Sequence, residues 1–189
     1  GQKLFPDWDV WKLGPIVTTP FQPTGYTLYG SYDHGWNNPA AYHVHGINGD
    51  GALVTLWEFY ADHVPVSSIA RLIKGEAATP PDGRRFAGNP YAGEERWKIA
   101  DPTMWAEDQP MKDEPNKSIA DLFRREGVVF IPGERGGDLT VAEWLLSHHW
   151  ADPARPTYRI TTACPKLIWE SGEQRFKELT PHVAMHANP

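Results

Sequence analysis

A single cysteine, Cys164, is all that the 189-residue sequence has, so an internal disulfide is excluded and a reducing compartment is expected. No apolar run approaches the roughly 18 residues of a membrane-spanning helix, and no signal peptide opens the chain. Positive charge is in deficit: 18 Lys and Arg stand against 24 Asp and Glu, a net charge of −6. That balance argues against a general DNA coat or a polybasic membrane binder, and leaves room for a local basic patch acting beside metals. No phosphate-binding G-x-x-x-x-G-K-S/T loop occurs. The nearest run, "RGGD" at 135–138, lacks the lysine, so no ATP site of that kind is expected in this chain. Internal repeats are absent as well.

What is there suits one domain of ordinary size, with 40% hydrophobic residues to build a core. Nine Trp are costly to leave bare, and 18 Pro with 17 Gly predict many loops. A start on Gly1 in place of Met predicts a tag remnant or a domain cut from a longer protein. Residues 1–24 carry four Pro and read as an extended lead-in or connector, with Phe5, Trp8 and Trp11 docked on the body formed by residues 25–189.

The body alternates in a definite order. Strand patterns cover 26–33, 40–47 and 52–60, and "NGDG" at 48–51 reads as a hairpin turn. Residues 64–74 place Val66, Ile69, Ala70 and Ile73 at helical spacing. A Gly/Pro loop over 75–95 is long enough to suggest a functional or mobile segment. A strand over 96–101 follows, then a helix over 118–127 capped by Ser118 and closed by Gly127. A strand over 128–132, a helix over 139–150, a strand over 157–161 and a helix from 162 to 174 complete the pattern. The order β-β-β-α-β-α-β-α predicts a mixed sheet with helices on both sides, the order of the ribonuclease H fold.

Two strands end on acids, Asp33 and Asp101, although Asp is a poor strand residue. A right-handed crossover sets a strand reached through a helix parallel to its neighbour; if the fourth strand packs beside the first, both carboxylates leave the sheet at one edge, where ligands of open α/β sheets sit. Like charges there repel unless a cation lies between them, and Mg²⁺ takes carboxylate oxygens. Two such ions about 3.5–4 Å apart cleave phosphodiesters. The competing reading makes Asp33 and Asp101 ordinary turn acids. Glu58 in "LWEFY" is either a third ligand, or a group that orients one, or the polar face of an edge strand. Asn37 and Asn38 either hold a metal's water or build the turn.

His43 and His45 share a strand face, but no third ligand stands at zinc spacing. His148 and His149 close a helix, where positive charge is favourable. Cys164 reads as a small buried group. Arg84 and Arg85 in the long loop and Arg135 at a turn are candidates for touching a DNA backbone; Arg124 and Arg125 read as solvated helix charge.

Together these pieces resemble the nuclease domain of the phage terminase large subunit, across nearly the whole chain. "GQKLFPDW" (1–8) is similar to that family's connector, and residues 30–60 to its first Asp-x-Gly strand and hairpin. "ADPTMW" (100–105) resembles its second acidic motif, 118–145 its helix, strand and Arg-x-Gly loop, and 154–170 its "P-x-y-x-I…C-x-x-L" segment. The resemblance implies a ribonuclease H-like endonuclease that cuts concatemeric viral double-stranded DNA with two Mg²⁺ or Mn²⁺ ions. Asp33 would be the first metal ligand, bridging both ions, and Asp101 the second. It also implies as partners the terminase ATPase domain, the small terminase subunit and the portal, in the host cytoplasm. The family's third carboxylate lies in a final Asp-x-x-His-x-x-Asp-like helix. This sequence ends at "HVAMHANP" without it, so the resemblance implies a site that is incomplete here or completed by another residue.

Two other readings have their own supports. The ribonuclease H order also suits a resolvase- or transposase-like nuclease. The nine Trp suit a non-catalytic module that offers aromatic platforms to a sugar or a protein.

Overall fold

The structure, a computed structural model, describes residues 3–5, 7–11, 14–106, 117–134, 141, 143–152 and 154–173. Among these, strands β1 (Val17–Thr18), β2 (Tyr26–Asp33), β3 (Ala40–Asn48), β4 (Leu53–Ala61), β5 (Glu95–Ala100), β6 (Ile131–Pro132) and β7 (Tyr158–Thr161) form one sheet. Its order is β1-β7-β4-β3-β2-β5-β6. Helices α1 (Trp8–Trp11), α2 (Val66–Ile73), α3 (Ile119–Arg125) and α4 (Pro165–Glu173) accompany it.

The central five strands arise as the sequence pattern predicts. β2, β3 and β4 pair antiparallel in succession. Asn48 shapes the β3–β4 turn: its side-chain oxygen accepts the amides of Asp50 (3.0 Å) and Ala52 (2.8 Å), and Gly51 takes φ 79°. β5 then lies parallel to β2, and β6 parallel to β5. This is the α/β, ribonuclease H-like arrangement, a mixed sheet with flanking helices.

One face of the sheet carries the larger core. Leu28, Tyr42, Val44 and Leu56 pack with Ile69, Leu72 and Ile73 of α2 and Phe123 of α3. Alternation along β3 buries Ala40, Tyr42, Val44 and Gly46 and leaves the residues between them more accessible. Gly30 sits in this face because any Cβ there would collide with the Tyr42 hydroxyl. Ser118 and Asp121 form a reciprocal capping box at the start of α3, and Gly127 follows its end at φ 80°.

A second cluster joins Phe5, Trp8, Ile16, Trp150, Tyr158, Ile160 and Cys164. Here the lead-in docks as expected. Trp8 is 1% exposed, and its indole N–H donates to the carbonyl of Ile168 at 2.9 Å. Trp11 closes α1, and its side chain lies outside the described residues.

Four elements differ from the sequence reading, the first being α1 (Trp8–Trp11), a helical turn within the lead-in where the sequence predicts extended chain. The lead-in contributes a strand, because Val17–Thr18 pairs parallel with β7. The strand expected over 128–132 shrinks to Ile131–Pro132. Val128 and Phe130 turn into the core, and this stretch lies at the sheet edge, where Pro132 offers no amide to the ladder. Within the helix expected over 139–150, Leu145–His149 winds as a π-helical turn.

Candidate active site

β2 ends on Asp33, and β5 ends one residue before Asp101. Because these strands are adjacent and parallel, both carboxylates emerge at the same edge of the sheet. The amide of Asp101 donates to the carbonyl of Tyr32 at 3.3 Å, extending the pairing to that edge. Asp101 also caps the short 3-10 turn Pro102–Trp105, its Oδ1 accepting the Thr103 amide (2.7 Å) and hydroxyl (2.5 Å). That contact holds the carboxylate in one orientation.

Asp33 and Asp101 line a cleft of about 450 Å³. Ser31, His43 and Glu134 contribute to its walls, and Glu170 enters from α4. Three carboxylates from three separate elements therefore share the cleft with Asp33. Asp33 opens to solvent, yet its carboxyl is held above the usual carboxylate range. Partial desolvation is the main cause, then the charge of Asp101; a backbone hydrogen bond at His34 opposes them, and the charge of Glu170 adds to the rise.

A hard cation fits this deficit. Asp33 and Asp101 present oxygen donors only, and a positive ion between them would remove the repulsion that raises Asp33. Among the described residues, no group of three His, Cys, Asp or Glu is close enough together to form a three-ligand cage.

Glu170 was not foreseen from sequence. It lies three residues after Leu167, which packs on the second core cluster, so helical spacing turns both toward the sheet. Its Oε1 accepts the hydroxyl of Tyr60 at 2.5 Å, which pushes the Tyr60 phenol up to about 12.

Glu58 stands elsewhere. It does not line the acid cleft; its two oxygens accept the amides of Lys166 (2.6 Å) and Leu167 (3.0 Å) at the start of α4. Those amides have no partner inside the helix, so the carboxylate both caps them and meets the favourable end of the helix dipole. Its side chain is 5% exposed and lies 3.6 Å from Nε2 of His43.

The other sequence candidates divide similarly. The guanidinium of Arg84 is engaged by Asp82 (2.6 Å) and Asp62 (3.1 Å), and neither Arg84 nor Arg85 lines the acid cleft. Arg135 lies outside the described residues. Asn37 and Asn38 stand in the bend after β2 and do not line the cleft. Gly35 is needed by its own turn: a Cβ there would collide with the carbonyl oxygens of Asn38 and Pro39. His43 and His45 do share a face, with ring centres 5.9 Å apart. Both nitrogens of His45 are already taken, Nε2 by Ser31 (2.7 Å) and Nδ1 by Thr55 (2.9 Å). His149 bonds Thr157 at 2.8 Å. Cys164 is fully buried, and desolvation pushes its thiol up to about 12. The tryptophans split: Trp8 and Trp150 are buried, whereas Trp36, Trp97, Trp144 and Trp169 are exposed.

No protein-family model matches the chain, and no curated protein matches it in sequence. Solved structures do match in fold. The P22 large terminase nuclease domain aligns at TM-score 0.55 and 13% identity, over 82% of this chain and 72% of that one. Large terminase from a thermophilic bacteriophage, in complex with ADP, aligns at TM-score 0.59 and 13% identity, over 88% of this chain and 36% of that one. The same terminase in complex with ATP-gamma-S gives TM-score 0.57 and 12% identity, over 92% of this chain and 42% of that one. The chain thus spans less than half of the thermophilic phage's protein. At such identities the likeness is one of fold, and that fold is the one found in the nuclease domain of phage large terminases.

Proposed function

We propose that this chain is a metal-dependent endonuclease domain of a viral DNA-packaging terminase, hydrolysing phosphodiester bonds in concatemeric double-stranded DNA. One observation carries the reading: two carboxylates leave adjacent parallel strands at one sheet edge and share a cleft with Glu134 and Glu170, where partial desolvation and then the charge of Asp101 raise Asp33. Asp33 and Asp101 would hold Mg²⁺ or Mn²⁺, two ions in the full reading. The chemistry such ions supply when bound is activation of water and stabilisation of the leaving oxygen. The protein's own residues orient the site. Thr103 fixes the Asp101 carboxylate, and Glu170 adds negative charge that favours a cation over none. Double-stranded DNA is the proposed substrate. A terminase ATPase domain, small subunit and portal are the proposed partners, in the host cytoplasm.

The test is cleavage of plasmid DNA by the 189-residue chain with Mg²⁺ or Mn²⁺. Asp33→Asn and Asp101→Asn should each abolish it. Wild-type rates in either variant would remove the assignment. Preference for four-way junctions over linear duplex would move the reading to a resolvase-like nuclease.

A further inference from the structure

Strand β4 grips helix α4 at two points. Glu58 accepts the amides of Lys166 and Leu167, and Tyr60 donates to Glu170. Residues 58 and 60 project from the same face of the strand, about 6.6 Å apart. From Lys166 to Glu170 is about one helical turn, a rise of roughly 6 Å. Two same-face positions of the strand thus meet the start of the helix and a site one turn further along it. The first grip is shielded, with the Glu58 side chain only 5% exposed and His43 packed against it from β3. The second holds the one α4 carboxylate that lines the acid cleft.

We infer that Glu58 and Tyr60 are positioning residues that fix Glu170 in the acid cleft, so that Glu58 acts on cation binding through α4 and not as a ligand. The inference rests on the cation-binding reading of the cleft. It also explains why a buried acid stands late in β4 without reaching the other carboxylates: its oxygens complete the helix start. Glu58 also does not line the cleft, and each of its oxygens already accepts an amide at the helix start.

The test compares wild type with Glu58→Ala, Tyr60→Phe, Glu170→Gln and the Glu58→Ala/Glu170→Gln double variant, using Mn²⁺ alone as the probe. Two readouts are taken, Mn²⁺ affinity by calorimetry and hydrogen exchange of the Lys166 and Leu167 amides. Glu58→Ala should raise the Mn²⁺ Kd about tenfold, the scale typical of residues that orient a metal site. Tyr60→Phe, which removes only the hydroxyl from a half-buried ring, should shift it in the same direction. The double variant should be no weaker than Glu170→Gln alone, because Glu58 would have nothing left to position. Faster exchange at Lys166 and Leu167 in Glu58→Ala should accompany these losses. Additive losses in the double variant, or wild-type affinity in both Glu58→Ala and Tyr60→Phe, would overturn the inference. Should wild type bind no Mn²⁺, the metal reading of the cleft falls by itself. Amide exchange then decides the grip, and unchanged protection of Leu167 in Glu58→Ala overturns it.

Discussion

The amide of Asp101 donates to the carbonyl of Tyr32 at 3.3 Å, so the second acid is tied by backbone to the residue just before the first. That link keeps the two acids neighbours at one sheet edge, where partial desolvation and then the charge of Asp101 raise Asp33.

Metal-free protein should gain stability from Asp33→Asn. An acid whose pKa is raised by folding makes the folded state hold its proton more tightly than the unfolded one. Its unfavourable contribution is absent below the ordinary carboxylate range and grows as pH rises through the raised value. Thermal melts at neutral pH should show Asp33→Asn melting above wild type, with the gap closing in acid. A variant that melts lower at neutral pH would contradict the repulsion.

Added Mn²⁺ should reverse that order. Binding only to the folded state raises Tm by mass action. Wild type should rise with Mn²⁺ concentration, and Asp33→Asn and Asp101→Asn should not. Equal shifts in all three would place the ion elsewhere.

Glu95 anchors the long loop to the sheet. Its side chain is fully buried and accepts Tyr42 (2.8 Å), Asn89 (2.6 Å) and the Gly93 amide (3.1 Å), with Lys98 at 3.7 Å. Glu95→Ala leaves these groups without their acceptor in the interior. Urea unfolding should show a loss of about 3 kcal/mol or more, the scale of breaking a buried charged network. A loss within experimental error would mean the loop is held by other contacts.

Acid should weaken the fold through His45. Desolvation and neighbouring His43 push its imidazole from the usual 6.5 down to about 3. The unfolded chain takes up a proton that the folded one refuses, so stability is full above 6.5 and falls as pH drops toward 3. Urea midpoints measured across that range should fall less steeply for His45→Gln than for wild type.

Much of this was legible in the chain. Alternating patterns with "NGDG" between them specified β2, β3 and β4, and the crossover rule made β5 parallel to β2; that the two are neighbours, which brings Asp101 to the edge of Asp33, was a condition that the structure supplies. What escaped was tertiary. Glu58 looks the same in sequence whether it meets a metal or a helix start, because the amides it caps are more than a hundred residues away. Glu170 sits between Trp169 and Ser171 with no motif around it, and only the docking of α4 on β4 turns it to the cleft. Val128 and Phe130 carry strand propensity, but core packing outweighs it at an edge with little ladder to join.

The indole of Trp8 has a mechanical meaning. It is fastened to the carbonyl of Ile168, two positions before Glu170 on the same helix. Gly172, one turn further, has no room for a Cβ because Trp8 lies against it. The N-terminal lead-in is thus fastened to the helix that carries a wall of the acid cleft, and the seating of Trp8 and the placement of Glu170 share one element.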